Sequence, residues 1–447
     1  MSDRRDVLVV GGGVAGLVAA RALARNGRAV TLLEADHRLG GCVTPVTVAG
    51  LTLDGGAESF ATRTSAVPDL LEELGLAGDI VAPRHSAWVQ LPDRAAPLPR
   101  AGALGIPSEI LSAEVRRAIG TWGAVRAGLD QVSSLWWGRS PGTSLADVVG
   151  RRMGRRVLDR LVAPVVTGVY STRPEDLPLD AIPGLAAELR RHGSLAKASR
   201  ALRAASPSGA AVGGLAGGMH RMVTALAADL ALLGVEVRLS SRVDALERDR
   251  AGWRATTGTV VLGSRQVVLA VPGPVAARLL GALDIVTPAT ARSDVVLVTL
   301  VVEDQTLDDA PRGSGVLVAE GTRVHAKALT HATAKWAWLA EVAGEGRHVL
   351  RLSYGGGTRD APPQDRADLL RRAVQDAGQL LERPLDAVVG FGRTSWPGLP
   401  TPLADRPEVR DRLGGGIALT GSWVSGPGLA SVVADAQSIT DRLDPDP

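Results

Sequence analysis

A glycine-rich turn near the start of the sequence has the residue types and the spacing to bind a nucleotide phosphate. Gly11, Gly13 and Gly16 follow the pattern G-x-G-x-x-G. The first glycine of such a turn permits the tight bend, the second lets a pyrophosphate approach the backbone, and the third lets a helix pack closely on a strand. Glu34 follows about 20 positions later, where a carboxylate can accept hydrogen bonds from an adenosine ribose. These residues predict a dinucleotide site.

The segments around this turn have the composition of the elements that must position it. Val7–Val10 is a short apolar run that predicts a buried parallel strand, and the alanine-rich stretch Leu17–Arg25 predicts a helix. Ala29–Leu33 predicts a second strand. In this unit, the free N–H groups and the partial positive charge of the helix start would face the phosphates. The alternative is a glycine turn in an ordinary unit of strand and helix that binds no ligand.

Three more segments favour a longer cofactor than NAD. Residues 37–41 read HRLGG, and residues 50–58 read GLTLDGGAE, a predicted strand that runs into a glycine turn. Two further close approaches of the backbone suit FAD better than NAD. Near the C-terminus, Gly426-Pro427-Gly428 precedes a predicted helix from Leu429, whose N–H groups could stabilise the negative charge of a reduced flavin. A simple turn and a capped helix without a ligand are the alternatives for these segments.

The composition of the chain excludes several classes of protein. Its 447 residues are 45% hydrophobic and carry a formal net charge of only +3, so we expect a globular fold and no nucleic-acid partner. Cys42 is the only cysteine, so we expect neither a disulfide within the chain nor a cysteine metal site. The first predicted strand begins close to Met1, and no long apolar run follows. We therefore expect no signal peptide, no transmembrane segment and a cytoplasmic location.

Motifs along nearly the whole chain resemble the flavin amine-oxidase superfamily and, within it, the porphyrinogen oxidases of haem biosynthesis. GGGVAGL at 11–17, RLGG at 38–41 and the C-terminal glycine motif indicate only the superfamily. The segments similar to the bacterial coproporphyrinogen III oxidase and protoporphyrinogen oxidase family are DGGAESF at 54–60, TGVYS at 167–171 and HAKALT at 325–330 with Lys335-Trp336.

This resemblance implies an FAD-dependent oxidase that holds its flavin without a covalent bond. It implies three successive two-electron oxidations of coproporphyrinogen III to coproporphyrin III, with O2 as acceptor and H2O2 as product. A hydride would leave a meso carbon for flavin N5, while the macrocycle loses an N–H proton. Protoporphyrinogen IX is the alternative substrate. The resemblance also suggests haem-pathway enzymes as partners, and it implies no metal.

The predicted elements and the resemblance together give an α/β plus α+β fold. A Rossmann-type FAD-binding domain like that of glutathione reductase would combine with a sheet-based substrate domain and a helical insertion. We assign residues 1–85, 212–275 and 395–447 to the FAD domain, 86–107 and 276–394 to the substrate domain, and 108–211 to the helical domain. Within these, we expect Pro164–Tyr170 to interrupt the helices and Ala337–Val342 to continue a series of strands.

Site residues follow from the motifs and from the matching family positions. A macrocycle needs a large apolar pocket with cations at its rim for the propionates. Lys335 is the candidate propionate partner or active-site cation, and no other catalytic residue is assigned. Lys327, Tyr170 and Tyr354 are further substrate candidates, as is Arg323. The predicted FAD contacts are Gly11, Gly13, Val14, Ala15, Gly16, Glu34, Ala35, Arg38, Gly40, Gly41, Gly56, Ala57, Glu58, Val243, Trp396, Gly421, Ser422, Gly428 and Leu429.

Alternatives stay open for several of these positions. A solvated surface charge is the alternative for the cations, and a core position is the alternative for the tyrosines. Trp122, Trp136 and Trp137 are expected in a core or a cavity wall, with peripheral membrane contact as the other option.

Two segments depart from the family pattern and leave the substrate open. Cys42-Val43-Thr44-Pro45 stands where the family has a basic or polar residue and then threonine. Residues 395–409, SWPGLPTPLADRPEV, stand where the family has a Pro-Gln-Tyr-like segment and a histidine near flavin and substrate. One rival hypothesis is an amine oxidase or a carotenoid-type desaturase, although Trp423 lacks the aromatic partner typical of amine oxidases. The other rival is an FAD-binding protein without enzymatic activity.

Overall fold

A computed structural model describes residues 5–99, 102–132, 143–170, 172–182, 184–204, 212–283, 294–355, 361–396, 413 and 415–443. Two seven-stranded sheets form its framework. The strands are β1 Arg5–Val10, β2 Val30–Leu33, β3 Pro45–Val48, β4 Leu51–Asp54, β5 Phe60–Ala61, β6 Ile80–Val81, β7 Trp88–Gln90, β8 Ala95–Pro97, β9 Gly102–Ala103, β10 Ile106–Pro107, β11 Val212–Leu215, β12 Glu236–Arg238, β13 Ala245–Asp249, β14 Gly252–Thr257, β15 Val260–Leu269, β16 Val295–Glu303, β17 Gly315–Val318, β18 Ala328–His331, β19 Arg347–Gly355, β20 Val388–Trp396 and β21 Ile417–Leu419.

Helices cover the two sheets and form a separate layer in the middle of the chain. They are α1 Val14–Arg25, α2 Ala66–Glu73, α3 Ala113–Gly128, α4 Leu145–Met153, α5 Arg155–Val157, α6 Ala163–Tyr170, α7 Leu185–His192, α8 Leu195–Ala204, α9 His220–Leu232, α10 Gly273–Gly281, α11 Ala332–Lys335, α12 Ala337–Ala343, α13 Arg366–Leu381, α14 Ser422–Ser425, α15 Leu429–Gln437 and α16 Ile439–Arg442. Short 3-10 turns at 77–79, 129–131, 179–181 and 305–307 complete the set.

The strand β1, which the apolar run Val7–Val10 predicts, lies in the interior of the first sheet. The order of this sheet is β12-β2-β1-β15-β14-β13, with β21 beside β15, and β1 pairs in parallel with both β2 and β15. Because side chains alternate along a strand, Val7 and Val9 pack under α1, α9 and α15, whereas Leu8 and Val10 pack on the opposite side with α10. The parallel part of the sheet around β1 is therefore buried on both faces, as parallel sheets require, whereas the antiparallel strands β13 and β14 are partly exposed.

The second sheet is mixed and has one long helix on it. Its order is β20-β16-β19-β18-β17-β7-β8, with β16 antiparallel to both β19 and β20. Leu350 and Leu352 of β19 pack with Leu369 and Ala373 of α13. Since alternate residues of β19 point the other way, Arg351 points away from α13 and reaches Glu58. This sheet can thus present charged side chains to the glycine motifs.

The helical layer between 108 and 204 has its own core and an internal ion pair. Residues of α3, α4, α6, α7 and α8 share one apolar cluster. Arg152 and Asp130 are 1% and 0% exposed, and the Arg152 Nε donates to Asp130 Oδ1 at 2.7 Å. Asp130 Oδ2 in turn accepts the Ala196 N–H at the start of α8. This pair therefore joins α4 to the start of α8.

Two local expectations from the sequence are wrong. Pro164 lies inside the first turn of α6, which follows a turn of wider π type at Leu158–Val162, so the chain stays helical through Pro164–Tyr170. Proline has no N–H to donate to the helical ladder, and the chain departs from regular α geometry in the π turn directly before it. Ala337–Val342 belongs to α12, whose buried Leu339 and Ala343 have helical spacing.

Several expectations lie outside what the structure describes. Trp136, Trp137 and residues 397–409 of the divergent segment fall on undescribed residues, and the predicted domain bounds stay a prediction. Trp122 is 82% exposed on α3 and is therefore not a core residue. Within the described ranges, no helix has both the length and the apolar character needed to cross a bilayer.

Candidate active site

The glycine turn between β1 and α1 has the geometry that each of its glycines predicts. Gly11 has φ +107°, a value that L side chains rarely adopt, and its N–H donates to the Leu33 carbonyl at 2.8 Å. A Cβ on Gly16 would overlap the carbonyl oxygen of Gly11, so this glycine is needed for the close approach of α1. Gly13 differs, because a Cβ there would meet no atom within 4 Å. The space above Gly13 is therefore open for a ligand.

Glu34 closes β2 and points its carboxylate back at the glycine turn. Its Oε2 accepts the Gly12 N–H at 2.5 Å, and its Oε1 accepts the Asp36 N–H at 2.7 Å. Asp36 also lies 3.7 Å from the Arg38 guanidinium, and Ala35 beside it is exposed. The acid thus lies at the edge of the turn, where it can accept from a sugar hydroxyl.

The second glycine pair and the C-terminal motif meet the same turn. Gly40 donates its N–H to the Gly12 carbonyl at 2.9 Å and forms a β-bridge with Gly13. Gly41, at φ +56°, would place a Cβ 3.4 Å from the Gly13 Cα. On the other side, a Cβ on Gly421 would lie 3.8 Å from the Cβ of Ala15 in the first turn of α1. Segments that are far apart in sequence therefore converge on one helix start.

The C-terminal motif supplies a second helix start next to the first. Ser422 begins α14, and Gly428 precedes Leu429, the first residue of α15. No side chain caps α15 in the described structure. Since β1 and β21 both run parallel to β15, the helices that follow them, α1 and α15, begin at the same edge of the sheet and present their N–H groups there. Two uncapped helix starts in one region suit a ligand with both phosphates and a ring that becomes negative.

The turn after β4 is held by side chains of the second sheet. The Gly55 carbonyl accepts both the Trp396 Nε1–H at 2.8 Å and the Thr394 hydroxyl at 2.7 Å. The Ala57 N–H donates to the Cys42 carbonyl at 3.1 Å, which fixes the other side of the turn. The predicted contacts Gly56, Ala57 and Trp396 thus lie together.

A buried charge cluster lies at the end of this turn. Glu58 Oε1 is 2.5 Å from the Lys335 ammonium, and its Oε2 is 3.2 Å from the Arg351 guanidinium. Arg351 also donates to the Gly56 carbonyl. Burial by itself would raise the pKa of Glu58, but the charges of Lys335 and Arg351 outweigh it and hold this pKa below its usual value. Glu58 is therefore ionised at neutral pH.

Two of the other predicted substrate residues, Lys327 and Tyr354, do not join this cluster. Lys327 is 1% exposed, and burial lowers its pKa to about 8, so it offers no ammonium at an open rim. Tyr354 is 1% exposed in the core between β19 and α13, on the side of the sheet opposite to Arg351, and does not lie at the site. Arg323 is exposed, and the side chain of Tyr170 lies outside the described structure.

Val243 is connected to the Glu34 end of the glycine turn through the backbone. It follows Ser241, whose N–H donates to the Glu34 carbonyl at 2.7 Å. The Val243 carbonyl accepts from the Arg278 guanidinium at 3.0 Å. Val243 therefore lies two residues after a backbone contact of Glu34.

A separate small cavity lies away from the glycine motifs. It has a volume of about 150 Å³ and is lined in part by Arg84, His331, Asp308 and His348. His331 Nε2 and His348 Nδ1 are 3.0 Å apart, and His348 Nε2 is 3.2 Å from Asp308. Within the described residues, no group of His, Cys, Asp or Glu side chains is arranged to hold a metal ion. This cavity is too small for a macrocycle.

Sequence reasoning identified the glycine segments and missed Arg351 and Thr394. Arg351 interrupts the apolar run of β19, and a charge at a half-buried strand position indicates a partner in the interior. That signal gives no clue to the partner, because Glu58 is 293 positions away.

Comparisons with known proteins agree with this arrangement. The family model described as flavin containing amine oxidoreductase matches residues 14–436. A coproporphyrinogen III oxidase of Mycobacterium leprae is 32% identical over 98% of each chain, and a chloroplastic protoporphyrinogen oxidase of Nicotiana tabacum is 25% identical over 98% of this chain and 85% of its own.

Solved structures show the same fold. A crystal structure from Exiguobacterium sp., provisionally named as a protoporphyrinogen oxidase, superposes with a TM-score of 0.84 at 25% identity, covering 99% of this chain and 98% of that one. A putrescine oxidase superposes with a TM-score of 0.66 at 16% identity, covering 99% of both chains, which shows the fold alone. With its glycine turn, its paired helix starts and these matches, the chain belongs to the flavin-containing amine oxidoreductase family.

Proposed function

We propose that this protein is an FAD-dependent oxidase that converts coproporphyrinogen III to coproporphyrin III in haem biosynthesis. O2 would accept the electrons of three two-electron oxidations, and H2O2 would be released. The supporting observation from the structure is the convergence of Gly13, Gly40 and Ala15 with Gly421 on one helix start. The substrate is inferred from the names of the relatives, several of which are coproporphyrinogen III oxidases.

FAD, held without a covalent bond in a Rossmann-type domain like that of glutathione reductase, fits the residues present. The pyrophosphate would pass over Gly13, where no protein atom lies within 4 Å of the space that a Cβ would fill. Glu34 would accept hydrogen bonds from the ribose, and Val243 would meet the adenine through its backbone. When bound, the flavin supplies the hydride-accepting ring of the reaction.

The chain's own residues would bind and orient the reacting groups. The turn with Gly56 and Ala57 is fixed between the second sheet and the Cys42 carbonyl, so it can form a rigid wall. The Glu58, Lys335 and Arg351 cluster would add positive charge at that wall. We retain Lys335 as the proposed partner of a propionate. Its ammonium already pairs with Glu58, so a propionate would bind beside this pair. Tyr170 stays a candidate for the pocket wall.

Further parts of the proposal concern location and partners. We propose a cytoplasmic enzyme that takes its porphyrinogen from, and gives its porphyrin to, other enzymes of haem synthesis. The three ranges assigned to FAD, substrate and helical domains belong to the same proposal. Protoporphyrinogen IX is the second candidate substrate, because relatives that carry its name also match most of the chain.

Anaerobic mixing of the FAD-loaded protein with coproporphyrinogen III tests the assignment of flavin and substrate together. We expect loss of the oxidised flavin absorbance together with formation of an oxidised macrocycle, followed by recovery of the flavin when O2 is admitted. Reduction by protoporphyrinogen IX alone would reassign the substrate. Reduction by neither, with flavin bound, would refute a porphyrinogen oxidase.

A further inference from the structure

We propose that Glu58, Lys335 and Arg351 act as one charge cluster whose excess positive charge favours the reduced, anionic form of the flavin over the oxidised form. This inference rests on the proposed function, which places the flavin against the turn at 54–58. It assigns a redox role to Arg351, which the sequence motifs did not single out, and a positioning role to Glu58.

The cluster joins three segments that are distant in sequence. Glu58 follows β4, Lys335 ends α11, and Arg351 lies in β19. Their side chains are 17%, 14% and 10% exposed, and the Lys335 ammonium also lies 4.8 Å from the centre of the Trp336 ring. Charges this deeply placed are only weakly screened by salt and solvent. Their field therefore acts on whatever group occupies the adjacent site.

The same residues fix the backbone that the flavin would face. Arg351 donates to the Gly56 carbonyl while it pairs with Glu58. The neighbouring Gly55 carbonyl accepts hydrogen bonds from the side chains of Trp396 and Thr394. The turn thus has its carbonyls directed at the second sheet, and the positive charges are held at a constant position relative to it. A preorganised charge of this kind stabilises a developing anion without moving.

The charge of the cluster can be changed in both directions. Two cations and one carboxylate give a net charge of +1. Glu58→Gln raises this to +2, Lys335→Met lowers it to zero, and the double variant Glu58→Gln with Lys335→Met returns it to +1. Removal of only one partner from a buried pair destabilises a protein, so the double variant also guards against loss of folding in Glu58→Gln.

The test measures the reduction potential of bound FAD against a redox dye in the wild type and these three variants, with the exposed Lys197→Met as the control. One unit charge within about 10 Å in a partly buried site changes the preference for an anion on the order of tenfold. For a two-electron couple, tenfold corresponds to about 30 mV. We expect Glu58→Gln to raise the potential by this amount and Lys335→Met to lower it, with the double variant and Lys197→Met at the wild-type value.

Two results would overturn the inference. Equal reduction potentials in all variants would show that the cluster does not tune the flavin and serves only as a structural clamp or a substrate-binding group. A potential that falls in the double variant as far as in Lys335→Met would show that Lys335 acts alone. Neither result depends on porphyrinogen turnover, whereas failure of the proposed function would appear as absent FAD binding or absent flavin reduction by both porphyrinogens.

Discussion

Replacing Gly13 with alanine separates the binding of a cofactor from the stability of the fold. Gly13 has φ −69° and ψ 176°, which alanine adopts readily, and its added Cβ would meet no protein atom within 4 Å. Alanine also lowers the entropy of the unfolded chain, so we expect the free energy of unfolding of the apo protein to stay the same or rise by up to about 1 kcal/mol. The methyl group would, however, occupy the space proposed for the pyrophosphate.

The loss of affinity can be estimated from the contacts at stake. Displacing the phosphates should remove at least one charge-assisted hydrogen bond from the start of α1, worth about 1.5–3 kcal/mol. This corresponds to a roughly ten- to hundredfold increase in the Kd for FAD. Gly16→Ala should behave differently, because its Cβ overlaps the Gly11 carbonyl and overpacking costs about 1–3 kcal/mol of stability.

Flavin fluorescence titration and urea unfolding of the apo protein measure the two effects. Gly78→Ala is the matched control, since a Cβ there also meets no atom and the residue is exposed away from the glycine motifs. Unchanged FAD affinity in Gly13→Ala would refute the proposed path of the pyrophosphate. Strong destabilisation of apo Gly13→Ala would show that the fold has no free space for a Cβ at this position.

Three further outcomes follow from the same structure. Glu34→Arg should weaken FAD binding at least about tenfold, because it removes the acceptor at the ribose end of the turn and adds a cation near Arg38. Lys335→Ala should raise KM more for a tetrapropionate than for a dipropionate substrate, as kinetics with both porphyrinogens would show. Burial lowers the pKa of His331 to about 3, so the unfolded chain binds a proton between pH 6.5 and 3 that the native protein does not. Stability should therefore fall with acidification in that window, and urea unfolding of His331→Gln should show a pH slope smaller by about 1.4 kcal/mol per pH unit.

A specific result would refute each of these three predictions. Unchanged flavin content in Glu34→Arg would show that the adenosine does not bind beside Glu34. Equal effects of Lys335→Ala on the KM of both substrates would show that Lys335 does not bind a propionate. For the pH dependence, His37→Gln is the control because the His37 side chain is 82% exposed. A pH slope in His331→Gln equal to that of the wild type would show that His331 takes its proton in the native protein.

The sequence predicted the parts of the site that depend on local patterns. β1, the turn and α1 are adjacent in the chain, so apolar runs and glycine spacing were enough to predict the tight turn at Gly11 and the close helix packing at Gly16. By contrast, the helix at Ala337 was mistaken for a strand, since short apolar runs have no period that distinguishes the two.

Contacts between residues far apart in the chain could not be predicted from the sequence. Lys335 was singled out from the sequence as a candidate active-site cation, yet its bond to Glu58 spans 277 positions and no local pattern encodes it. Tyr354 and Arg351 alternate on β19, so only one of them could face the site, and the alternation alone does not say which. The packing of α13 on one face of the sheet decides this, because it buries Tyr354 and leaves Arg351 to the cluster.

Aerobic turnover of the two porphyrinogens by the purified, FAD-loaded protein tests whether it is a coproporphyrinogen III oxidase. We expect coproporphyrin III fluorescence to rise above the rate without enzyme, faster than for protoporphyrinogen IX, with three H2O2 released per porphyrin. Protein that binds FAD but oxidises neither porphyrinogen would rule out a porphyrinogen oxidase and favour another flavin oxidase or an inactive relative.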